Sequence, residues 1–135
     1  MNATTGYSGK TLAAKLGLTE GMAAAAIDPP AQYQALLGDV PTPVKFGRGA
    51  YAFVHLFVSN QAALERNLPR AIGQLAPRGA IWVSWPKKSS PLFRNLTEDG
   101  IREIALPLGM VDVKVCAVDA DWSALKLMWR ADKRK

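Results

Sequence analysis

The sequence predicts an α/β domain: a mostly parallel sheet with helices on both faces, finishing in an antiparallel hairpin. Three observations carry this. Strand-like apolar runs alternate with helix-like segments from residue 11 to residue 109. The strongest runs, Tyr51–Val58 and Ala80–Val83, are apolar on both faces, as strands covered on both sides are. The last two runs are joined only by the turn Asp119–Asp121, and so short a link joins antiparallel neighbours. A chain of 135 residues, 49% apolar, holds one domain with a real core, spanning 1–135.

Residues 1–9 read as a flexible arm. Thr11–Leu16 reads as a short helix, with Leu12 and Leu16 on one side and Gly17 ending it. Met22–Ile27 is an unbroken apolar run between Gly21 and Pro29, which favours a buried strand despite the poor strand propensity of alanine. Ala31–Leu37 reads as a helix opened by Pro30 and closed by Gly38. Val44–Phe46 is long enough only for an edge strand. After the central strand Tyr51–Val58, Ser59 or Asn60 can cap a helix with the apolar stripe Leu64, Leu68, Ile72 and Leu75. Pro69 should kink or divide it.

Gly79 opens the next strand, within Gly79–Ser90 (GAIWVSWPKKSS). The apolar pattern ends at Ser84 and breaks at Pro86. Thr97 then caps a helix with Glu98 and Asp99 in its first turn and with Ile101, Ile104, Ala105 and Leu108 as its buried face. Val111, Val113, Val115 and Ala117 alternate with Asp112 and Lys114, predicting a half-covered strand. Leu125, Leu127 and Trp129 alternate in the last strand. The hairpin finish is similar to the class I methyltransferase variant of the Rossmann fold.

The net charge of +6 is unevenly spread. Arg66, Arg70, Arg78, Lys87, Lys88 and Arg94 share residues 49–95 with one acid, Glu65, and residues 130–135 form a basic tail. A terminal basic run is ordinarily solvated, so nucleic acid is not the expected partner. No apolar run approaches the roughly 18 residues that span a bilayer, and no membrane partner is expected. The N-terminus has no apolar core of a signal peptide. The single cysteine, Cys116, excludes an internal disulfide and a cysteine-based zinc cage, and fits a reducing cytoplasm.

Several motifs fail on context. Gly9-Lys10-Thr11 has the ending of a phosphate-binding loop, but Thr4 stands where that loop needs its first glycine, and no strand precedes it. Gly47-Arg48-Gly49-Ala50-Tyr51-Ala52 fits G-x-G-x-x-A but opens a strand, not the helix whose N-terminus meets a pyrophosphate. The first strand runs into Asp28-Pro29-Pro30, where cofactor-binding relatives of this fold carry a glycine-rich turn. Two prolines offer no N–H and fill the space a cofactor needs, so no cofactor is expected. Asp28 could face a crevice, although a helix-capping role suffices for it. His55, the lone histidine, lies among aromatics and reads as a satisfied core residue. Mid-strand Cys116 reads as a small hydrophobe.

Lys87, Lys88, Ser89 and Ser90 lie just past a strand's carboxyl end, where open α/β sheets bind ligands. Two ammonium groups, two hydroxyls and free loop N–H groups could hold a phosphate or carboxylate, with Trp82 and Trp85 as walls and Asp28 or His55 across the crevice. An anionic small molecule could be the partner, although a solvated lysine pair in an exposed turn accounts for these residues as well. No metal site is expected.

The chain also resembles a bacterial family of small uncharacterised proteins, a domain of unknown function. The resemblance rests on Gly6–Gly17 (containing GYSGK), Val54–Val58 (VHLFV), Trp82–Ser90 (WVSWPKKSS), Leu96–Asp99 (LTED) and Leu106–Lys126. It implies a Rossmann-like α/β domain and brings no catalytic residue.

Overall fold

The computed structural model describes residues 11–38 and 43–133. The arm at 1–9, the Gly9-Lys10 pair, the GYSGK segment and the last two tail residues, Arg134 and Lys135, lie outside the described residues.

Among the described residues strands and helices alternate as expected, and six strands form one sheet. Helix α1 (Leu12–Leu16) is capped by Thr11, whose side chain accepts from the Ala14 N–H at 3.1 Å, and ends at Gly17 with φ 77°. Strand β1 (Ala24–Ile27) is buried throughout, so burial on both faces overrides alanine's weak propensity. Helix α2 (Tyr33–Leu37) and the two-residue strand β2 (Val44–Lys45) follow. Strand β3 (Tyr51–Phe57) runs through the middle of the sheet, and α3 (Gln61–Gly73) is capped by Asn60. Strand β4 (Leu75–Pro86), helix α4 (Glu98–Ala105), β5 (Met110–Ala117) and β6 (Trp122–Trp129) complete the fold.

The strand order is β2-β1-β3-β4-β6-β5. The first four strands are mutually parallel, and β6 is antiparallel to both neighbours. Each face carries its own apolar layer. On one, Val54, Leu56, Ile81, Val83 and Leu125 pack under Leu64 and Leu68 of α3 and Ile101 of α4. On the other, Ala24, Ala26, Phe53, Phe57 and Trp82 pack under Leu12 and Leu16 of α1 and Tyr33 of α2.

Several expectations are corrected. Helix α3 is not divided at Pro69, which sits on its exposed side. Its buried face is Leu64, Asn67, Leu68 and Ala71, with Ile72 only partly buried. Leu75 belongs to β4, which therefore begins before Gly79 and continues through Ser84 to Pro86. The pairing with β3 slips between Tyr51↔Leu75 and Phe53↔Ala80, so β4 carries extra residues there. Gly79 allows the slip: a Cβ would stand 2.7 Å from the Tyr51 carbonyl oxygen. Leu108 is not part of the α4 core face. It lies in a 3-10 turn, Leu106–Leu108, and is exposed. Strand β5 is also barer than expected, with Val113 and Val115 exposed. It is an edge strand, and its register against β6 shifts between Asp112 and Lys114, breaking the simple alternation.

Candidate functional site

The chain leaves β1 toward β2 on one side, then returns to place β3 on the other side of β1. This is the reversal of strand order at which open α/β sheets form a ligand crevice, outside the carboxyl ends of the two strands. Here those ends are Ile27-Asp28 and Phe57-Val58. The end of β4 lies one strand further on, about 10 Å from the end of β1 at normal strand spacing.

Asp28 is exposed and has φ 53°, the one non-glycine residue with positive φ among the described residues. Left-handed backbone of this kind is tolerated by aspartate better than by most residues. Asp28 does not cap α2. The residue before that helix is Gln32, which makes no side-chain capping bond. Asp28 therefore turns the chain sharply out of β1 into Pro29 and Pro30.

Beyond β4, the Lys87 N–H donates to the Asp121 carbonyl at 2.8 Å, tying this loop to the β5–β6 turn. Ser90 is buried, and its Oγ accepts from the Leu92 N–H at 3.0 Å, closing a local turn. Lys87 is half-buried; Lys88 and Ser89 are exposed. The ion pairs among the described residues belong to Arg102 and Arg130, and none of those residues brings a carboxylate within 4.0 Å of either lysine. Trp82 and Trp85 do not flank one pocket. They alternate across the sheet: Trp85 is buried in the layer under α3 and α4, and Trp82 in the layer under α1 and α2, where its indole N–H donates to the Leu16 carbonyl at 2.7 Å.

His55 is fully buried and satisfied at both nitrogens. Nδ1 is 2.8 Å from the Tyr33 hydroxyl and Nε2 is 2.6 Å from Ser84 Oγ. Its ring stacks on Phe57 with centroids 4.1 Å apart. Burial pushes its pKa down to about 3, so the imidazole is neutral at ordinary pH. Burial also drives the Tyr33 phenol upward, well beyond its ordinary range. The Ser84–His55 contact has the spacing of a nucleophile and its base. Both groups are wholly buried, however, so the chain Tyr33–His55–Ser84 is a structural one. Sequence reading anticipated the satisfied histidine but neither partner, because 22 and 29 residues separate them from it.

The G-x-G-x-x-A segment spends its N–H groups internally: Gly47 donates to the Tyr51 hydroxyl at 3.2 Å and Gly49 to Gln74 Oε1 at 2.9 Å. A hollow of about 300 Å³, lined by Leu75, Pro77, Trp129 and Lys133, lies at the other end of the sheet, where β4 begins and β6 ends. Among the described residues no group of three or more His, Cys, Asp or Glu side chains could hold a metal ion. No helix among them is long and apolar enough to cross a membrane.

Comparison of the sequence with protein-family models and with characterised proteins finds no match. Solved structures do resemble the fold. Magnesium protoporphyrin IX methyltransferase from Synechocystis PCC 6803, determined with bound S-adenosylmethionine, superposes with a TM-score of 0.59 at 13% identity, over 88% of this chain and 74% of that one. The ribosomal protein L11 methylase from Lactobacillus delbrueckii subsp. bulgaricus gives 0.54 at 12% identity, over 89% and 64%. The tRNA methyltransferase for m1A22 from B. subtilis gives 0.54 at 11% identity, over 90% and 66%. The chain thus spans about two thirds to three quarters of these neighbours. At these identities the likeness shows the fold alone: a class I methyltransferase-like α/β sheet.

Proposed function

We propose that this chain is a non-catalytic binding domain on a methyltransferase-like scaffold whose cofactor loop has been replaced. One observation carries the reading: β1 delivers Asp28-Pro29-Pro30 to the reversal point of the sheet, with Asp28 in left-handed backbone. A cofactor lying against that turn would need backbone N–H donors and an open approach. Pro29 and Pro30 supply neither. The test is calorimetric titration with S-adenosylmethionine, which accompanies the Synechocystis neighbour, and with nicotinamide dinucleotides. No heat of binding at micromolar concentration is expected. Saturable micromolar binding of either would overturn the reading.

A second reading is favoured by the lysines beyond β4, which form no ion pair among the described residues. Lys87, Lys88, Ser89 and the N–H groups of that loop would take the phosphate or carboxylate of a small molecule, making the domain a sensor or a small enzyme. Asp28 lies across the crevice, and Trp85 supports the loop from the core beneath. The expected result is that phosphorylated metabolites raise the melting temperature, and that Lys87→Ala with Lys88→Ala removes the rise. An unchanged response in the double variant sinks this reading. A reducing cytoplasm suits the lone thiol of Cys116 in either case.

A further inference from the structure

We infer that the outer half of the sheet carries an anion site, built from Lys15, Lys114 and Lys126, that takes a small phosphorylated molecule. The register defines the site. His55 pairs with Trp82, Trp82 with Lys126, and Lys126 with Lys114, so these four residues form a row across one face of the sheet. The first two are covered by α1 and α2. Of the last two, Lys126 is half-buried and Lys114 exposed.

Helix α1 reaches this row because the Trp82 indole N–H holds the Leu16 carbonyl at 2.7 Å. That bond fixes the end of α1 over β4, the neighbour of β6, and Lys15 is in the last turn of that helix. The Cys116 thiol, half-buried on β5, registers the same neighbourhood. Burial pushes its pKa up, and the Lys15 and Lys114 ammonium groups both act to lower it. Lys15 on α1 and Lys114 on β5 thus both act on one thiol, and Lys126 lies directly opposite Lys114.

Like charges directly opposite in an antiparallel pair destabilise it, with their Cβ atoms only about 5 Å apart. Here a third ammonium is added, and Lys15 and Lys126 are both half-buried. Among the described residues no carboxylate lies within 4.0 Å of any of the three, and Asp112, the acid on β5, is held by Arg102 at 2.9 Å. Three ammonium groups brought to neighbouring elements, with no ion-pair partner among the described residues, suit an anion with several oxygens, such as one carrying one or two phosphate groups. This site is separate from the Lys87–Ser90 loop, which lies at the strand ends.

The probe is inorganic pyrophosphate, titrated at constant ionic strength while the melting temperature is followed. In the parent protein a saturable rise of several degrees is expected. Lys114→Ala with Lys126→Ala should abolish the rise and, with the repulsion relieved, should melt no lower than the parent without pyrophosphate. Lys15→Gln should weaken the response alone, which keeps the test decisive if the double variant folds poorly. Lys87→Ala with Lys88→Ala should leave the rise intact. No rise in the parent protein, or an equal rise in the Lys114/Lys126 and Lys15 variants, would overturn the inference. Loss of the rise only in the Lys87/Lys88 variant would overturn it too, and would favour the strand-end loop instead. Binding of a single-stranded oligonucleotide without any response to pyrophosphate would overturn the small-molecule assignment.

Discussion

Replacing Ser84 by alanine removes one hydroxyl from the centre of the sheet and leaves His55 Nε2 without the partner it has at 2.6 Å. A buried polar group that loses its partner costs about 1–3 kcal/mol. For a domain of this size each kcal/mol moves the melting temperature by about 3–5 °C, so Ser84→Ala should melt about 3–15 °C lower. Removing all three polar groups is a different perturbation. Tyr33→Phe, His55→Leu and Ser84→Ala together leave nothing unpaired, and the triple variant should lose less than Ser84→Ala alone at neutral pH. The same network has a pH signature. In the unfolded chain His55 takes up a proton as pH falls through about 6.5, whereas the folded state resists until about 3. Stability present above 6.5 is therefore lost progressively as pH falls from there toward 3. At pH 5.5 the loss is on the order of 1 kcal/mol. His55 is the chain's one histidine, so no other imidazole titrates in that window. Urea unfolding at pH 7.5 and 5.5 should show this loss in the parent protein and not in the triple variant. The reasoning fails if Ser84→Ala melts with the parent, or if the triple variant keeps the full acid sensitivity.

Three further outcomes follow from the same geometry. Gly79→Ala should destabilise by about 1–3 kcal/mol, read by thermal melting, because its Cβ would meet the Tyr51 carbonyl at 2.7 Å and backbone cannot rotate aside. Asp28→Val should cost about 1–2 kcal/mol, since a β-branched residue suits φ 53° poorly, and Asp28→Gly should be close to neutral; equal melting of both variants would contradict the strained turn. Trp82→Phe should cost about 1–3 kcal/mol and raise amide exchange in α1, because the Leu16 carbonyl loses its donor. Unchanged exchange there would mean that α1 is held by packing alone.

What the sequence made legible was local chemistry. Asn60 and Thr97 are capping residues by type, and each accepts from the N–H three residues on. The run YAFVHLF is a strand on composition alone, and the Asp119–Asp121 turn requires a hairpin. The rest depended on what lies above each face. The alternation in β5 marks two different faces, but it cannot say that nothing covers Val113 and Val115. Trp82 and Trp85 are close in sequence, yet an odd spacing in a strand sends them to opposite layers. The boundary between α3 and β4 was misplaced because Leu75 fits a helical stripe and a strand equally well. At the candidate site the prolines and lysines were readable. The left-handed turn at Asp28 was not, since aspartate adopts it without a sequence mark.

The central proposal is that the reversal point of this sheet does not accept S-adenosylmethionine, the molecule bound in the Synechocystis neighbour. Amide spectra of isotopically labelled protein, recorded with rising S-adenosylmethionine, report on that place directly. The account predicts that the amides of Ile27, Asp28, Phe57 and Val58 stay where they are up to millimolar ligand. Saturable movement of those four, with a common midpoint, would contradict it.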